Sequence, residues 1–252
     1  MDYLSIGSLL SLTKTEMFKE LDLARAENVE PTGLLAPIDN DLEVWAAGVT
    51  YVRSRDERQA ESTVSDVYGK VYEADRPELF FKASGRRAVG DGGMIRIRRD
   101  SDWNVPEPEL ALVVNSDGEI VGYTAGNDVS SRSIEGENPL YLPQAKTYDG
   151  SCALGPAIVL THPEELTDLP IACTIKRGGR EVFAGNARTS QMKRRLPELV
   201  EYLFRETTFP HGVFLMTGTG IVPEPGFTLV PGDVVVIEVG ELTLVNEVDQ
   251  NP

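Results

Sequence analysis

The amino-acid sequence predicts a mainly β protein with a few helices, of the α+β class. From Leu42 onward, short apolar runs rich in β-branched and aromatic residues are separated by glycine and proline, a pattern typical of strands. Helical spacing of apolar residues stands out in two segments instead. The runs predicted as strands are LFFKA, MIRIRR, LALVV, EIVGYTAG, PAIVL, IACTIKR, GVFLMTG and DVVVIEVG.

The first helical segment lies near the N-terminus. Residues 14–29 carry Met17, Leu21 and Leu23 at helical spacing with charged residues between them, which predicts a surface helix. Proline and glycine residues from position 31 onward then break the pattern, so a connector is expected up to about residue 42. We therefore expect a short helical segment and connector at 1–42, followed by one main domain at 43–252.

Two hairpins and a second helix are predicted further along the chain. In residues 112–123 the turn Asn115-Ser-Asp-Gly118 joins two apolar runs, and KRGGRE at 176–181 has Gly178-Gly179 at its tip. The second helix is predicted at 189–206, where Thr189 or Ser190 can cap it. Its apolar face is marked by Leu196, Leu199, Val200 and Leu203.

Composition and charge exclude several classes of protein. With 41% hydrophobic and 25% charged residues, the chain is typical of soluble globular proteins, and its apolar runs are too short to span a bilayer. The 40 acidic and 24 basic residues give a net charge of −16, which opposes binding to nucleic acid. The acidic excess is compatible with adaptation to high salt and equally with a genome bias.

The cysteines and the N-terminus indicate a reducing compartment. Cys152 and Cys173 form no CxxC pair, and the first residues lack the basic start of a secretion signal. We therefore expect a cytoplasmic protein that binds neither membranes nor nucleic acid.

Three carboxylates are the strongest candidates for a functional site. Glu107 and Glu109 lie two apart at the entry to an apolar strand, so their side chains share one face. Asp128 follows a hairpin that returns the chain antiparallel to that strand, so three carboxylates can converge. Oxygen ligands without histidine or cysteine favour Mg²⁺, Mn²⁺ or Ca²⁺ over zinc. The alternative is a solvated strand face with two surface acids.

Nucleophilic catalysis is the weaker hypothesis. His162 and His211 are the only histidines, and each neighbours a proline in a predicted loop, so a histidine-based triad is not expected. Without a histidine to activate it, Cys152 is better interpreted as a packed core cysteine.

Seven segments of the chain, in order, resemble the fumarylacetoacetate hydrolase superfamily from about Val44 to Val248. The resemblance implies a rolled or sandwiched mixed β-sheet that forms the catalytic domain, one divalent metal, usually Mg²⁺, and a homodimer or homotetramer. The matching segments are GVTY at 48–51, FFK at 80–82, EPEL at 107–110, GYTAGNDVSSR at 122–132, AKTYDGSCALGP at 145–156, LMTGTG at 215–220 and PGDVVVIEV at 231–239.

The resemblance also implies roles for individual residues. Glu107, Glu109 and Asp128 match the metal ligands of the family, and Lys146 matches a lysine beside the metal-bound substrate. Thr219 matches a threonine near the substrate carboxylate. Taken alone, Lys146 could be a surface lysine and Thr219 an ordinary turn residue. Further candidates for substrate binding in or beside the matching segments are Phe81, Lys82, Arg132 and Gln144.

One departure from the family pattern bears on the reaction. Hydrolases of the family commonly carry a histidine and a glutamate three residues apart to activate water. Here Ser54 stands at the histidine position, with Glu57 still present. A serine is a poor general base near neutral pH, so hydrolysis of a C–C bond is disfavoured.

The segments RPELFFKAS, WNVPEPE and NDVSSRSIEGENPLYLPQAKTYD are similar to a subgroup, the 2-keto-3-deoxy-pentonate dehydratases. This resemblance implies a small 2-oxo acid substrate and a role in the active site for Glu78, which could otherwise be a surface acid. The expected reaction is Mg²⁺-dependent dehydration to 2,5-dioxopentanoate through a metal-stabilised enolate. Lys146 would serve as base and Glu78 as acid, or the reverse. The alternatives are an acylpyruvate hydrolase and a 2-oxo acid decarboxylase or isomerase.

Overall fold

The protein is built around two mixed β-sheets, which confirms the predicted mainly β, sandwich-like architecture. The computed structural model describes residues 5–23, 34–54 and 66–250. Within those ranges, each of the eight apolar runs predicted as strands contains a strand. The described helices are α1 (Ile6–Leu10), α2 (Lys14–Leu23), α3 (Asp66–Glu73), α4 (Arg132–Glu137), α5 (Leu142–Lys146) and α6 (Leu196–Phe204).

The first sheet has seven strands and carries most of the candidate site. In spatial order the strands are β2 (Glu78–Ser84), β1 (Glu43–Gly48), β12 (Val213–Met216), β6 (Pro108–Val114), β7 (Ile120–Asp128), β9 (Cys152–Leu160) and β3 (Ala88–Val89). Of these, β1 pairs with β12, and β3 with β9, in parallel, whereas the other neighbours are antiparallel.

The second sheet has five strands, and a short two-stranded ribbon completes the described sheets. β14 and β4 pair in parallel, and the remaining pairs are antiparallel. The order is β11 (Arg180–Arg188), β10 (Pro170–Arg177), β13 (Val234–Val239), β14 (Leu242–Gln250) and β4 (Met94–Ile97); the ribbon is β5 (Asn104–Val105) with β8 (Ser130–Ser131).

Strand β6 is buried along its whole length because both faces of the first sheet are covered. Leu110 and Leu112 point into a core shared with the second sheet, where they join β10 residues such as Ile171. Ala111 and Val113 point the other way, into a core that includes Met17 of α2. The alternation of period two therefore divides one strand between two cores.

Both predicted hairpins are present. β6 and β7 pair in the register that places Pro108 opposite Asn127, and β10 and β11 are joined at Gly178-Gly179. Both glycines of that turn have positive φ, 55° and 78°, which residues with a side chain rarely adopt.

The N-terminal helix is shorter in the described residues than the sequence pattern predicts. Helix α2 covers Lys14–Leu23, and residues 24–29 lie outside the described ranges. Its Met17 is 1% exposed and packs in the same core as Leu10 of α1. The domain boundary at residue 42 stays a prediction. No helix among the described residues is long and apolar enough to cross a membrane.

The second predicted helix begins later than the sequence indicated. Helix α6 starts at Leu196, with Pro197 in its first turn, and 189–191 form a separate 3₁₀ turn. The expected cap Thr189 instead accepts a bond from the Leu169 amide and donates to the Leu166 carbonyl. The start at 189 was therefore wrong, because these polar groups are used by the preceding loop. The predicted apolar face is correct, since its four residues are buried.

Candidate active site

The antiparallel β6–β7 hairpin brings together the three carboxylates that the sequence singled out. Glu107 precedes β6, Glu109 lies within it, and Asp128 ends β7. The Asp128 amide donates to the Glu107 carbonyl at 3.0 Å, which fixes the two residues side by side. One carboxylate oxygen from each of Glu107, Glu109 and Asp128 lies within 4.8 Å of the other two. The convergence follows from the hairpin geometry.

These carboxylates lie in the protein interior. Glu107 is 3% exposed, and Glu109 and Asp128 are each 1% exposed. Burial, followed by the charges of Asp128 and Glu107, raises the pKa of Glu109 well above its ordinary value. The Gly218 amide donates to Glu109 at 2.6 Å and partly opposes that rise. Such a set of buried acids is not a solvated strand face, so this alternative is excluded.

Lys146, the last residue of α5, places its ammonium group among these acids. Its Nζ donates to Glu107 Oε2 at 2.8 Å, to Asp128 Oδ2 at 3.0 Å and to Ser130 Oγ at 2.6 Å. The side chain is 1% exposed, so Lys146 is not a surface lysine. The Ser130 hydroxyl donates in turn to the Asp128 carbonyl, so its lone pair faces Lys146.

Lys82, from strand β2, is completely buried on the other side of Asp128. Its Nζ lies 2.5 Å from Asp128 Oδ1 and donates to the carbonyls of Val129 at 3.1 Å and of Lys146 at 2.5 Å. An ammonium group has three N–H donors. The Lys82 ammonium therefore contacts one carboxylate and two backbone carbonyls, all of which are protein groups.

Arg132 also contacts the carboxylates. Its guanidinium lies 3.0 Å from Glu107 Oε1 and 4.0 Å from Glu135 Oε2, and the side chain is 2% exposed. Arg132 therefore orients Glu107, whereas the sequence suggested substrate binding. Its role towards substrate stays a prediction.

The donor set fits a divalent cation. Among the described residues, this cluster contains three cationic side chains, those of Lys82, Lys146 and Arg132. It contains four carboxylates, those of Glu107, Glu109, Asp128 and Glu135, so the formal charges sum to −1. Within the same described part of the chain, Glu109 forms no ion pair, although its carboxylate is buried. A buried carboxylate without a cation is costly, and hard oxygen donors suit Mg²⁺, Mn²⁺ or Ca²⁺. Glu107, Glu109 and Asp128 could hold such an ion.

Strand β2 also contributes Phe80, whose ring lies near Lys146. Alternation places Glu78 and Phe80 on one face, and a β-bulge at Lys82 interrupts the alternation after Phe81. The Lys146 ammonium lies 5.7 Å from the centre of the Phe80 ring. Phe81, which the sequence suggested for substrate binding, packs its ring edge-on against Trp45 at 6.1 Å, and its role towards substrate stays a prediction. Phe80 was missed, although its place in the FFK segment was the available signal.

The carboxylate of Glu78 lies against the backbone of β1. Glu78 pairs with Gly48, and a Cβ atom added at Gly48 would lie 2.0 Å from Glu78 Oε2. The absence of a side chain at Gly48 therefore leaves the space in which this carboxylate sits. Glu78 and Phe80 are two residues apart, which is about 7 Å along the strand at roughly 3.3 Å per residue.

The remaining predicted substrate-binding residues have local contacts. Thr219 is 3% exposed, and its hydroxyl donates to the Ile221 carbonyl and accepts from the Ile221 amide, each at 3.1 Å. Gln144 is exposed on α5, and its carbonyl accepts a bond from Arg98. Their roles towards substrate stay predictions.

Other residues near the site clarify the earlier alternatives. Cys152 is buried, and burial raises the pKa of its thiol to about 12, which agrees with a packed core cysteine. Ser54 is buried, whereas Glu57 lies outside the described residues. Tyr51 was missed. Among the described groups its buried hydroxyl has no hydrogen-bond partner, and burial, followed by the charge of Glu109, raises the pKa of this hydroxyl. Its place in GVTY was the available signal.

Comparison with known proteins gives a consistent result. The family model described as fumarylacetoacetate (FAA) hydrolase C-terminal matches residues 43–249. The chain is 52% identical over 216 residues to the probable 2-keto-3-deoxyxylonate dehydratase of Haloferax volcanii, covering 84% of this chain and 73% of the relative. It is 43% identical over 233 residues to the 2-dehydro-3-deoxy-D-arabinonate dehydratase of Saccharolobus solfataricus, covering 90% and 78%.

A solved structure with a similar fold holds a metal and a small molecule. It is 2-keto-3-deoxy-D-arabinonate dehydratase complexed with magnesium and 2,5-dioxopentanoate. The two folds superpose with a TM-score of 0.83 and 36% sequence identity, covering 100% of this chain and 90% of that one.

Proposed function

This chain belongs to the fumarylacetoacetate hydrolase family, and we propose that it is a Mg²⁺-dependent hydro-lyase that converts a 2-keto-3-deoxy-pentonate into 2,5-dioxopentanoate. Two relatives that share 52% and 43% identity with it are named as dehydratases of such acids. The similar solved structure carries magnesium together with 2,5-dioxopentanoate. The substrate is thus a small 2-oxo acid.

The observation that carries the proposal is the buried set of Glu107, Glu109 and Asp128 with Lys146 directly beside it. When bound by these carboxylates, a divalent cation polarises the carbonyl of a 2-oxo acid and makes the neighbouring C3 protons more acidic. A base beside that position can then remove a C3 proton, and an acid can assist departure of the C4 hydroxyl.

Lys146 is the residue that we assign as the base. Two of its three hydrogen-bond acceptors are carboxylates of the ligand set, whereas the third is the Ser130 hydroxyl. Ser130 donates to a backbone carbonyl, so its lone pair faces Lys146 independently of the carboxylates. Ser130 therefore orients the lysine nitrogen. The positive charge of a divalent cation held by these carboxylates also favours the neutral form of the Lys146 amine, which a base requires.

Glu78 is the residue that we assign as the acid. It extends from the same strand face as Phe80, over which the Lys146 ammonium lies. Its carboxyl proton passes to the C4 hydroxyl, which leaves as water when the electrons of the C3–H bond form the C3–C4 double bond. A proton then moves from C5 to C3, and the resulting enol becomes the C5 aldehyde. The sum is loss of one water molecule.

The test is a direct comparison of substrates. Purified protein with Mg²⁺ is incubated with each C4 epimer of 2-keto-3-deoxy-pentonate and, separately, with acylpyruvates, and the products are identified by NMR. We expect 2,5-dioxopentanoate from at least one epimer. The matched controls are protein treated with chelator and the Glu109→Gln variant. A preference for acylpyruvates of tenfold or more, about 1.4 kcal/mol in transition-state free energy, would reject dehydration in favour of hydrolysis.

We also propose that the protein is a homodimer or homotetramer, on the basis of family resemblance. Light scattering of the purified protein measures this directly, and a monomer at working concentration would contradict it.

A further inference from the structure

We propose that Lys82 is a positioning residue that holds Lys146 in place, and that it does not bind substrate. The inference rests on the proposed function, because it assigns Lys82 a part in placing the base. The FFK segment suggested substrate binding for Lys82 from the sequence. The contacts of its ammonium group point elsewhere.

The first argument is the number of donors. A lysine ammonium has three N–H donors and accepts no hydrogen bonds. Lys82 donates hydrogen bonds to two carbonyls, of Val129 at 3.1 Å and of Lys146 at 2.5 Å, and its third contact is an ion pair with Asp128 Oδ1 at 2.5 Å. The side chain is 0% exposed. A substrate could engage Lys82 only by displacing a buried protein partner, which is unfavourable.

The second argument is the identity of the acceptors. Lys146 ends the short helix α5, and the last carbonyls of a helix have no partner within it. Lys82 donates to the carbonyl of Lys146 itself, and the Ser151 hydroxyl donates to the same oxygen at 2.8 Å. The main chain of the base is thus fixed by two donors from outside its helix.

The third argument is that both lysines share one carboxylate. Lys82 contacts Oδ1 of Asp128, and Lys146 contacts Oδ2 at 3.0 Å. Lys82 therefore fixes Lys146 from two directions, through its carbonyl and through the carboxylate that its Nζ contacts. Loss of Lys82 would release both, and a displacement of about 1 Å in a reacting group can lower the rate by about 100-fold.

The principal variant is Lys82→Met, which keeps the side-chain length and removes the charge and the donors. The matched control is Arg177→Met in the second sheet. Arg177 pairs with Asp233, which is 0% exposed, and also donates to the Thr228 carbonyl. Both variants thus remove the cationic partner of a buried aspartate and a donor to a backbone carbonyl, but the control does so in the other sheet.

We expect kcat of Lys82→Met to fall about 10- to 100-fold, with KM nearly level and Mg²⁺ bound at least as tightly as by the parent. Removal of a positive charge beside Asp128 favours a cation. Arg177→Met should lose thermal stability but keep the parent kcat. Equal kcat in the two variants would overturn the proposal. So would a rise in KM with kcat level, which marks lost substrate binding, or a loss of Mg²⁺ affinity as large as the loss of kcat.

A milder variant covers the case in which Lys82→Met does not fold. Ser151→Ala removes the other donor to the Lys146 carbonyl and leaves every charge in place. Its kcat should fall about two- to thirteenfold, the range of a single neutral hydrogen bond. An unchanged kcat would overturn the proposal.

Failure of the proposed function is distinguishable from failure of this inference. If the parent dehydrates no 2-keto-3-deoxy-pentonate, the proposed function fails, and hydrogen exchange of the backbone tests Lys82 without turnover. The Thr147 amide donates a hydrogen bond to the Pro143 carbonyl at the end of α5, so its exchange rate reports on the order of this helix end. Exchange at residues 142–147 of the Mg²⁺-loaded protein should be faster in Lys82→Met than in Arg177→Met. Equal rates would overturn the positioning role.

Discussion

Replacement of Lys146 by methionine separates chemistry from binding. The change removes the ammonium that contacts Glu107 at 2.8 Å, Asp128 at 3.0 Å and Ser130 at 2.6 Å, and leaves a side chain of similar length. If Lys146 takes the C3 proton, kcat should fall by about 10²- to 10⁴-fold, the usual loss for a general base. That factor corresponds to about 2.7–5.5 kcal/mol of activation free energy.

Binding should be affected in the opposite sense. Lys146→Met removes one of the three cationic groups that face four buried carboxylates, so the attraction of the site for a divalent cation increases. The metal-free protein should lose about 3–5 kcal/mol of stability, the cost of breaking a buried ion pair. Bound Mg²⁺ should restore much of it. Calorimetry measures the Mg²⁺ affinity, and thermal unfolding with and without Mg²⁺ measures the stability.

The assay for proton removal uses 2-oxobutyrate in heavy water. Exchange of its C3 protons requires a base but no leaving group, and NMR follows it directly. The control is Lys14→Met, which removes a lysine whose Nζ contacts the Ile120 and Thr161 carbonyls, at the end of β7 opposite to Asp128. Undiminished exchange in Lys146→Met would refute the base assignment. A raised KM with level kcat would instead mean that Lys146 only pairs with the substrate carboxylate.

Three further predictions concern the ligand set and the proposed acid. Each of Glu107→Gln, Glu109→Gln and Asp128→Asn removes a charged ligand, so each should weaken Mg²⁺ binding by about tenfold or more while the protein remains folded. Calorimetry measures the Mg²⁺ affinity, and circular dichroism shows whether the variant is folded. Parent-like affinity in all three variants would exclude the assigned site. Burial beside two acids raises the pKa of Glu109 in the native state above its ordinary value of 4.5, so the metal-free native state holds a proton that the unfolded chain releases. The stability of the metal-free protein therefore falls as the pH rises from the pKa of Glu109 in the unfolded chain to its higher pKa in the native state. Mg²⁺ replaces that proton, so the increase in Tm on adding Mg²⁺ should be larger at about pH 8 than at about pH 5; an equal increase would contradict the reasoning. Gly48→Ala places a Cβ 2.0 Å from the present position of Glu78 Oε2, so the carboxylate of Glu78 must move. This variant should therefore lower kcat about as much as Glu78→Gln and leave the Mg²⁺ affinity unchanged. A parent-like kcat would contradict the assignment of Glu78 as the acid.

Local patterns in the sequence determined much of the fold. Period-two alternation and turn residues fixed the β6–β7 hairpin, and the spacing of Glu107 and Glu109 placed both on one face of it. The convergence with Asp128 then followed from antiparallel pairing. The start of α6 could not be found this way, because Thr189 forms its bonds with a preceding loop whose position depends on tertiary packing.

The division between sequence and structure is clearest at the two lysines. The sequence marked Lys82 and Lys146 as candidates through the segments that contain them, but gave both a place beside the substrate. The bond from Lys82 to the Lys146 carbonyl spans 64 residues, and the bond from Lys146 to Glu107 spans 39. Spacing along a strand or helix determines only the direction in which a side chain leaves its own element. Which acceptors that side chain meets is decided when β2, the β6–β7 hairpin and α5 pack together. The sequence alone therefore identified the three carboxylates that converge, and the tertiary structure decided that Lys146 lies among them while Lys82 contacts the main chain of Lys146.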